Sequence, residues 1–365
     1  MPAPQPRPGI LDIAAYVGGE AHAAGASRQI RLASNEGALG PSPRAMEAYR
    51  RVTPDIHRYP DGGSAQLREA LGKRYGLDPA RIVCGTGSDD LLTLLARAYA
   101  GPGDEVVHTV HGFLLYPILA TGIGAKPVAV SETNLKADVD ALLGAVTERT
   151  RVVFVANPNN PTGSYLTVEE MARLHAGLPE NVLLVIDAAY AEFVTRNDYS
   201  AGEELVDKAP NVVMTRTFSK IFALGGLRLG WAYGSEGIVD VLNRLRGPFN
   251  VPLPAQAAGV AALEDVGFID MARDHNEKWR DWFTSQCRGL GLTVHPSVTN
   301  FALVDFRGQA GSKADSEAAR QFLKGRGILV RQMGSYKLPD CLRVTIGTGE
   351  EMQAVVAGLR DFLAG

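Results

Sequence analysis

The sequence is poor in the features that would announce a specialised protein. Among 365 residues there are only three cysteines, Cys84, Cys287 and Cys341. They show no CxxC spacing and form no set with histidines, so a disulfide framework or a zinc centre is not expected, and a reducing, cytoplasmic compartment is. The seven histidines show no HxxxH or HExxH pattern, and no metal is assigned to any of them. No apolar stretch approaches the roughly 20 residues that span a bilayer. The opening MPAPQPRPGI lacks a basic segment followed by an apolar one, so no secretory leader is expected. Charge of one sign is also missing: the net charge is −3, which offers no footprint for nucleic acid or for an anionic membrane. There is no internal repeat and no low-complexity tract.

What is present is an ordinary globular composition, 45% hydrophobic and 21% charged, on a chain long enough for one large and one smaller domain. Residues 1–30 are rich in Pro, Ala and Gly and read as an arm. From about residue 64, helical and strand patterns alternate. SAQLREALGKRYG carries Leu67 and Leu71 at i,i+4, and TVEEMARLHAGL opens with Thr167 and Glu170 in capping-box spacing. RIVCGTG, EVVHTV, KPVAV, RVVFVANP, NVLLVIDAAY and NVVMTRTFSK are short β-rich runs. Strands alternating with helices predict an α/β domain with a mostly parallel sheet, assigned to residues 31–250. The proline-rich GPFNVPLPAQ marks a break. Residues 251–365 then read as a long helical region followed by a smaller α+β unit containing TNFALVDF, ILVRQM and LRVTIG.

In an open α/β sheet, ligands sit beyond the carboxyl ends of the strands. Four apolar runs end in polar residues: GTGSDD with Ser88 and Asp89, NPNNPTG with Asn160, DAAY with Asp187 and Tyr190, and TFSK with Thr217, Ser219 and Lys220. Each has a plainer explanation on its own. A glycine turn with a cap at Ser88, an Asn/Pro turn, a capping aspartate, a core tyrosine and a solvated lysine would account for them separately. GTGSDD also lacks the third glycine of a dinucleotide fingerprint, which argues against a dehydrogenase.

Taken together they suit one ligand. A helix N-terminus with Ser88 binds phosphate, and Arg228 in GGLRLG adds a bidentate charge. Asp187 pairs with a protonated ring nitrogen. Asn160 and Tyr190 hydrogen-bond a ring hydroxyl, and the amine of Lys220 condenses with an aldehyde. A phosphate, a basic ring nitrogen, a phenolic oxygen and an aldehyde on one molecule describe pyridoxal 5′-phosphate.

The ordered set NPNNPTG, DxxY, TFSK and GGLRLG resembles the fold-type I pyridoxal-phosphate aminotransferases. Within that group RPGILDIAAYVGG, LASNEGALGPSP, HRYPDGGSAQLREAL, HGFLLYP and LRVTIGT resemble the histidinol-phosphate aminotransferases from end to end, in a branch common in alphaproteobacteria. The resemblance implies a large domain with a mostly parallel sheet flanked by helices, and a smaller α+β domain. It implies transamination of L-histidinol phosphate with 2-oxoglutarate in histidine biosynthesis, Lys220 serving as cofactor anchor and general base. Phe113 is expected against the cofactor ring, and Thr217, Ser219, Arg228, Ser88 and Asp89 around its phosphate, Asp89 through its backbone N–H.

Further roles follow from the same resemblance. Tyr59 is implied to reach the phosphate of a neighbouring subunit, hence a homodimer with shared sites, and the arm to cross toward that partner with Tyr16 among the substrate-binding residues. Arg343 is implied for the α-carboxylate of the oxo acid, Arg331 for the substrate phosphate, and Asn35 for substrate. Two departures bear on substrate: Gly37 stands where the family has asparagine, and Ala188 where glutamate is frequent. Both are expected to alter pocket shape. They leave phenylalanine or tyrosine transamination, and decarboxylation of threonine phosphate, as alternatives. A cofactor-binding regulator without turnover would have no need to keep Lys220, Asp187 and Arg343 together.

Overall fold

The computed structural model describes residues 5–20, 22, 29–309 and 315–365. In chain order its strands are β1 (Ile30–Arg31), β2 (Ile82–Gly85), β3 (Glu105–Thr109), β4 (Lys126–Val130), β5 (Thr150–Ala156), β6 (Leu183–Asp187), β7 (Val212–Thr217), β8 (Gly230–Tyr233), β9 (Thr293–Val294), β10 (Phe301–Asp305), β11 (Ile328–Leu329), β12 (Arg331–Met333) and β13 (Leu338–Thr345).

Seven strands form the main sheet in the spatial order β2-β8-β7-β6-β5-β3-β4. All run parallel except β8, which pairs antiparallel with both β2 and β7. The inner strands are apolar on both faces because helices cover both. Val107, Val153, Leu184, Ile186 and Val212 point into one core, while Val106, Val152, Leu183, Val185 and Val213 point into the other. The helix Ala65–Tyr75 buries Leu67 and Leu71 as their spacing predicts. The helix Val168–Gly177 starts in the expected capping box, Thr167 with Glu170.

A second sheet, β12-β13-β10-β9, is antiparallel and has its own core, formed by Phe283, Cys287, Val304, Val344, Val355 and others. This core also takes Ile30 and Leu32. β1 pairs with β11, and Leu32 donates to the Leu329 carbonyl at 2.8 Å. The main core in turn takes Val251, Ala255, Ala258 and Ile269. Burial therefore runs across residues 30–31 in the smaller core and across residue 250 in the main one. The segment around residues 29–32 packs with the smaller unit, and the helix Leu253–Glu264 packs with the larger. The helix Val266–Gly289 joins them, placing Ile269 in one core and Phe283 in the other. The proline-rich break is real as a loop, but it is not where burial changes sides.

Of the arm, residues 7–20 lie along their own chain. Arg7 Nη2 donates to the Gly122 carbonyl at 2.5 Å, and Glu20 pairs with Arg320 and Lys324. No helix among the described residues is long and apolar enough to cross a membrane.

Candidate active site

The parallel strands deliver their carboxyl ends to one rim of the main sheet. β2 leads to Ser88 and Asp89, β3 to Phe113, β5 to Asn160, β6 to Asp187 and Tyr190, and β7 to Thr217, Ser219 and Lys220. β8 runs the other way, so its leading end reaches the same rim. Gly230 pairs with Thr217 and with Gly85, which brings Arg228, two residues earlier, to that edge. These residues line one cavity of about 480 Å³, together with Tyr16, Asn35, Arg331 and Arg343. Every site residue expected from the sequence is in its wall except Tyr59. Tyr59 lies outside it, 82% exposed and stacked on Phe249 at 4.7 Å.

Lys220 is half-buried, with Nζ 3.5 Å from the Ser34 carbonyl and 5.6 Å from the centre of the Tyr190 ring. Burial, then the charges of Arg343 and Arg228, pull its pKa down to about 8. Asp187 is 5% exposed, and burial pushes its carboxyl up to about 6. Tyr116 donates to its Oδ2 at 2.8 Å and Thr215 to its Oδ1 at 3.4 Å. A cation placed beside this carboxylate would draw it back down.

Around the proposed phosphate position, the helix Ser88–Tyr99 is capped by Gly87, not Ser88, and Gly87 has φ 95°. A Cβ there would lie 2.6 Å from Arg228 Nη2, so a glycine keeps this cradle open. The Asp89 carboxylate is paired with Arg228. It accepts from Arg228 Nη2 at 2.9 and 3.2 Å. Both partners are about half exposed, so the pair is weak. Arg228 also donates to the Gly225 carbonyl at 2.9 Å and to Ser219 Oγ at 3.5 Å. Thr217 Oγ1 accepts from the Ser219 amide at 3.1 Å. Phe113 sits edge-on to Tyr16 at 6.3 Å and to Tyr116 at 5.9 Å.

The opposite wall comes from the smaller unit. Arg331 on β12 and Arg343 on β13 are direct cross-strand partners, so both side chains leave the sheet on the same face. Both are buried. Arg343 donates to Asn160 Oδ1 and to the Ala33 carbonyl at 2.8 Å, and Arg331 to the Val17 carbonyl at 2.8 Å. Neither has an acidic partner among the described residues, and Arg343 Nε is buried without any hydrogen-bond partner. Like charges opposed across a ladder repel. Two of them aimed into one cavity make a binding wall for anionic groups.

Asn35, expected to touch substrate, has its side chain committed elsewhere: Nδ2 donates to the Tyr190 hydroxyl at 2.8 Å, and Oδ1 accepts from Thr345 Oγ1 at 3.2 Å. The two departures from the family wording do not themselves line the cavity, so any effect on its shape passes through their neighbours. Ala188 is fully buried in the main core. Gly37 packs on the turn after Lys220, where a Cβ would come 2.6 Å from Ala223 Cβ. Tyr116, Thr215 and Thr345 are site residues that the sequence reading did not assign. Tyr116 lies in the helix Leu115–Ile123 that follows Phe113.

His295, Asp305 and Cys341 gather possible ligand atoms within 4.8 Å of one another, but both oxygens of Asp305 already accept from Arg307.

The geometry meets the four demands of pyridoxal 5′-phosphate: an amine of lowered pKa, a buried carboxylate, an amide and a phenol lining the same cavity, and an open cradle with an arginine. Residues 27–359 match the aminotransferase class I and II family. A histidinol-phosphate aminotransferase of Rhodospirillum centenum is 65% identical over the full length of both chains. One of Paramagnetospirillum magneticum is 60% identical over 100% of this chain and 99% of its own. The crystal structure of the Sinorhizobium meliloti histidinol-phosphate aminotransferase in complex with pyridoxal 5′-phosphate superposes with a TM-score of 0.91 at 30% identity, covering 99% of this chain and 98% of that one. With the site's geometry and these relatives in agreement, the chain belongs to the histidinol-phosphate aminotransferases, within the class I and II aminotransferase family.

Proposed function

We propose that this protein transfers the amino group of L-histidinol phosphate to 2-oxoglutarate in histidine biosynthesis, with pyridoxal 5′-phosphate as cofactor. The observation that carries the substrate reading is the Arg331–Arg343 pair: two buried, acid-free guanidinium groups on one cavity wall. Histidinol phosphate brings a phosphate and no α-carboxylate, while 2-oxoglutarate brings two carboxylates. One pair of arginines can receive each in turn.

Bound in the cavity, pyridoxal 5′-phosphate supplies the aldehyde and the electron-withdrawing ring on which amino transfer depends. The chain supplies the rest. Lys220, with its pKa lowered to about 8, takes the α-proton of the amino substrate. Asp187 holds a proton on the ring nitrogen, itself held by Tyr116 and Thr215. Asn160 and Tyr190 would meet the ring oxygen, Phe113 the ring face, and Ser88, Thr217, Ser219 and Arg228 the phosphate. Tyr59, exposed with Phe249 and Ile56, is assigned to the site of a second copy in a homodimer. Three free, buried cysteines suit a reducing cytoplasm.

The test is the visible absorbance of the bound cofactor. L-histidinol phosphate alone is expected to bleach it, and 2-oxoglutarate to restore it. A band untouched by histidinol phosphate but bleached by phenylalanine or tyrosine would give the reaction to aromatic amino acids instead. Arg343→Lys separates the two half-reactions. A lysine cannot make the bidentate contact, so kcat/KM for 2-oxoglutarate should fall ~100-fold or more, and that for histidinol phosphate about 10-fold or less. Equal losses in both would remove Arg343 from carboxylate recognition.

A further inference from the structure

The Tyr190 hydroxyl has one proton, and its neighbours decide where that proton points. Asn35 Nδ2 lies 2.8 Å from the hydroxyl oxygen. An amide nitrogen only donates, so at this contact the tyrosine oxygen accepts. Thr345 determines that the amide presents nitrogen there and not oxygen. Thr345 Oγ1 accepts from the backbone N–H of Asn35 at 2.9 Å and donates its single proton to Asn35 Oδ1 at 3.2 Å. With Oδ1 engaged, Nδ2 is the end that faces Tyr190.

The chain of bonds therefore has one polarity, from the Asn35 backbone through Thr345 and the Asn35 amide to the tyrosine oxygen. The tyrosine proton is used by none of them, and the cavity is the direction left to it. The arrangement is buried. Asn35 and Thr345 are 1% and 2% exposed. Asn35 holds a left-handed φ of 56°, and its carbonyl accepts from Asn300 Nδ2 at 3.0 Å. The charged or titratable groups around Tyr190 are Lys220, Arg343, Asp187, Tyr116 and Tyr336.

We propose that Asn35 and Thr345 are positioning residues that commit the Tyr190 proton to the cavity, making Tyr190 a donor to the oxygen it meets there. This assigns Asn35 to the tyrosine, not to substrate. It rests on the reading that Tyr190 faces the cofactor's ring oxygen.

The experiment uses the cofactor-loaded enzyme and reads the pH midpoint of the bound cofactor's visible absorbance change, a quantity independent of turnover. A donor to an anionic oxygen favours the deprotonated form, so losing it raises the midpoint. Tyr190→Phe should raise it by about one pH unit, and Thr345→Val by about half a unit, the scale of one neutral hydrogen bond. Thr345→Ser should restore the wild-type value. In the Tyr190→Phe background, Thr345→Val should add nothing, because the proton it steers is gone. A midpoint unchanged by Thr345→Val while Tyr190→Phe moves it would overturn the positioning role alone. So would a Thr345→Val shift of equal size in both backgrounds. No shift in Tyr190→Phe itself would overturn the placement of Tyr190 at the ring oxygen, and the proposal with it. Should Thr345→Val not fold, Asn35→Asp gives the same cycle. Aspartate tolerates the left-handed backbone, cannot donate, and turns the tyrosine proton toward itself. Its upward shift should shrink when Tyr190 is Phe, and an undiminished shift would overturn the proposal.

Discussion

Replacing Lys220 by methionine is expected to abolish turnover, by at least ~10⁴-fold, since the proposed mechanism makes one side chain both the covalent anchor and the base. Among the described residues the cavity offers no second amine: its other cations are Arg228, Arg331 and Arg343, which stay protonated and cannot act as bases. Single-turnover rates with histidinol phosphate are the measurement. Activity within tenfold of wild type would remove Lys220 from the chemistry.

The same substitution should leave the cofactor-free protein more stable near pH 7, with a defined pH window. In the folded chain Lys220 titrates near about 8, against an ordinary 10.5 when unfolded. Between those values the unfolded state binds more protons, so wild-type stability rises with pH there. At pH 7 the ammonium is held in the fold at a cost of order 1–3 kcal/mol, which methionine does not carry. The methionine variant's advantage should therefore be full below pH 8 and close by about pH 10.5. Denaturant midpoints at pH 7 and pH 10 test this, and an advantage that grows with pH would contradict the burial account.

Much of this site was legible because strands buried on both faces write themselves as unbroken apolar runs. LLVI before Asp187 and VVMT before Thr217 mark both the strand and the rim residue that follows it. Gly-Trp-Ala-Tyr is too short and too close to a glycine turn to show β8, so the sequence gives a reason for Arg228's chemistry but not for its arrival at the rim. The smaller unit was harder. That Arg331 and Arg343 share a face depends on a register with an irregularity between Gln332 and Met333, which no local pattern reports. The membership of Ile30 and Leu32 in the second core, and the meeting of Asn35 with Thr345, join residues some 300 positions apart. Such contacts belong to topology, and a chain read in order does not contain them.

Replacing Asp187 by alanine is the second large effect, and its size follows from what a buried charge loses with its partner. Removing one member of a buried, hydrogen-bonded ion pair costs about 3–5 kcal/mol, which is ~10²–10⁴ in rate if the ring nitrogen's proton is lost with it. The loss should appear in the proton-abstraction step of both half-reactions equally, unlike that of Arg343→Lys, because the ring serves both. Asp187→Glu should not rescue fully, since Tyr116 at 2.8 Å and Thr215 at 3.4 Å fix the carboxylate of the shorter side chain. The cofactor-free protein carries the converse effect. Its Asp187 carboxyl is raised to about 6 from 3.8, so the folded state binds the extra proton between those values. Wild-type stability then falls as pH rises from 3.8 to 6. Asp187→Asn, which keeps an acceptor for Tyr116, should be more stable than wild type by order 1–3 kcal/mol above pH 6, with the gap closing toward pH 4. Calorimetry of both cofactor-free proteins across that range decides the matter. A gap that widens in acid would mean that the carboxylate is stabilised where it sits, and that burial does not set its pKa.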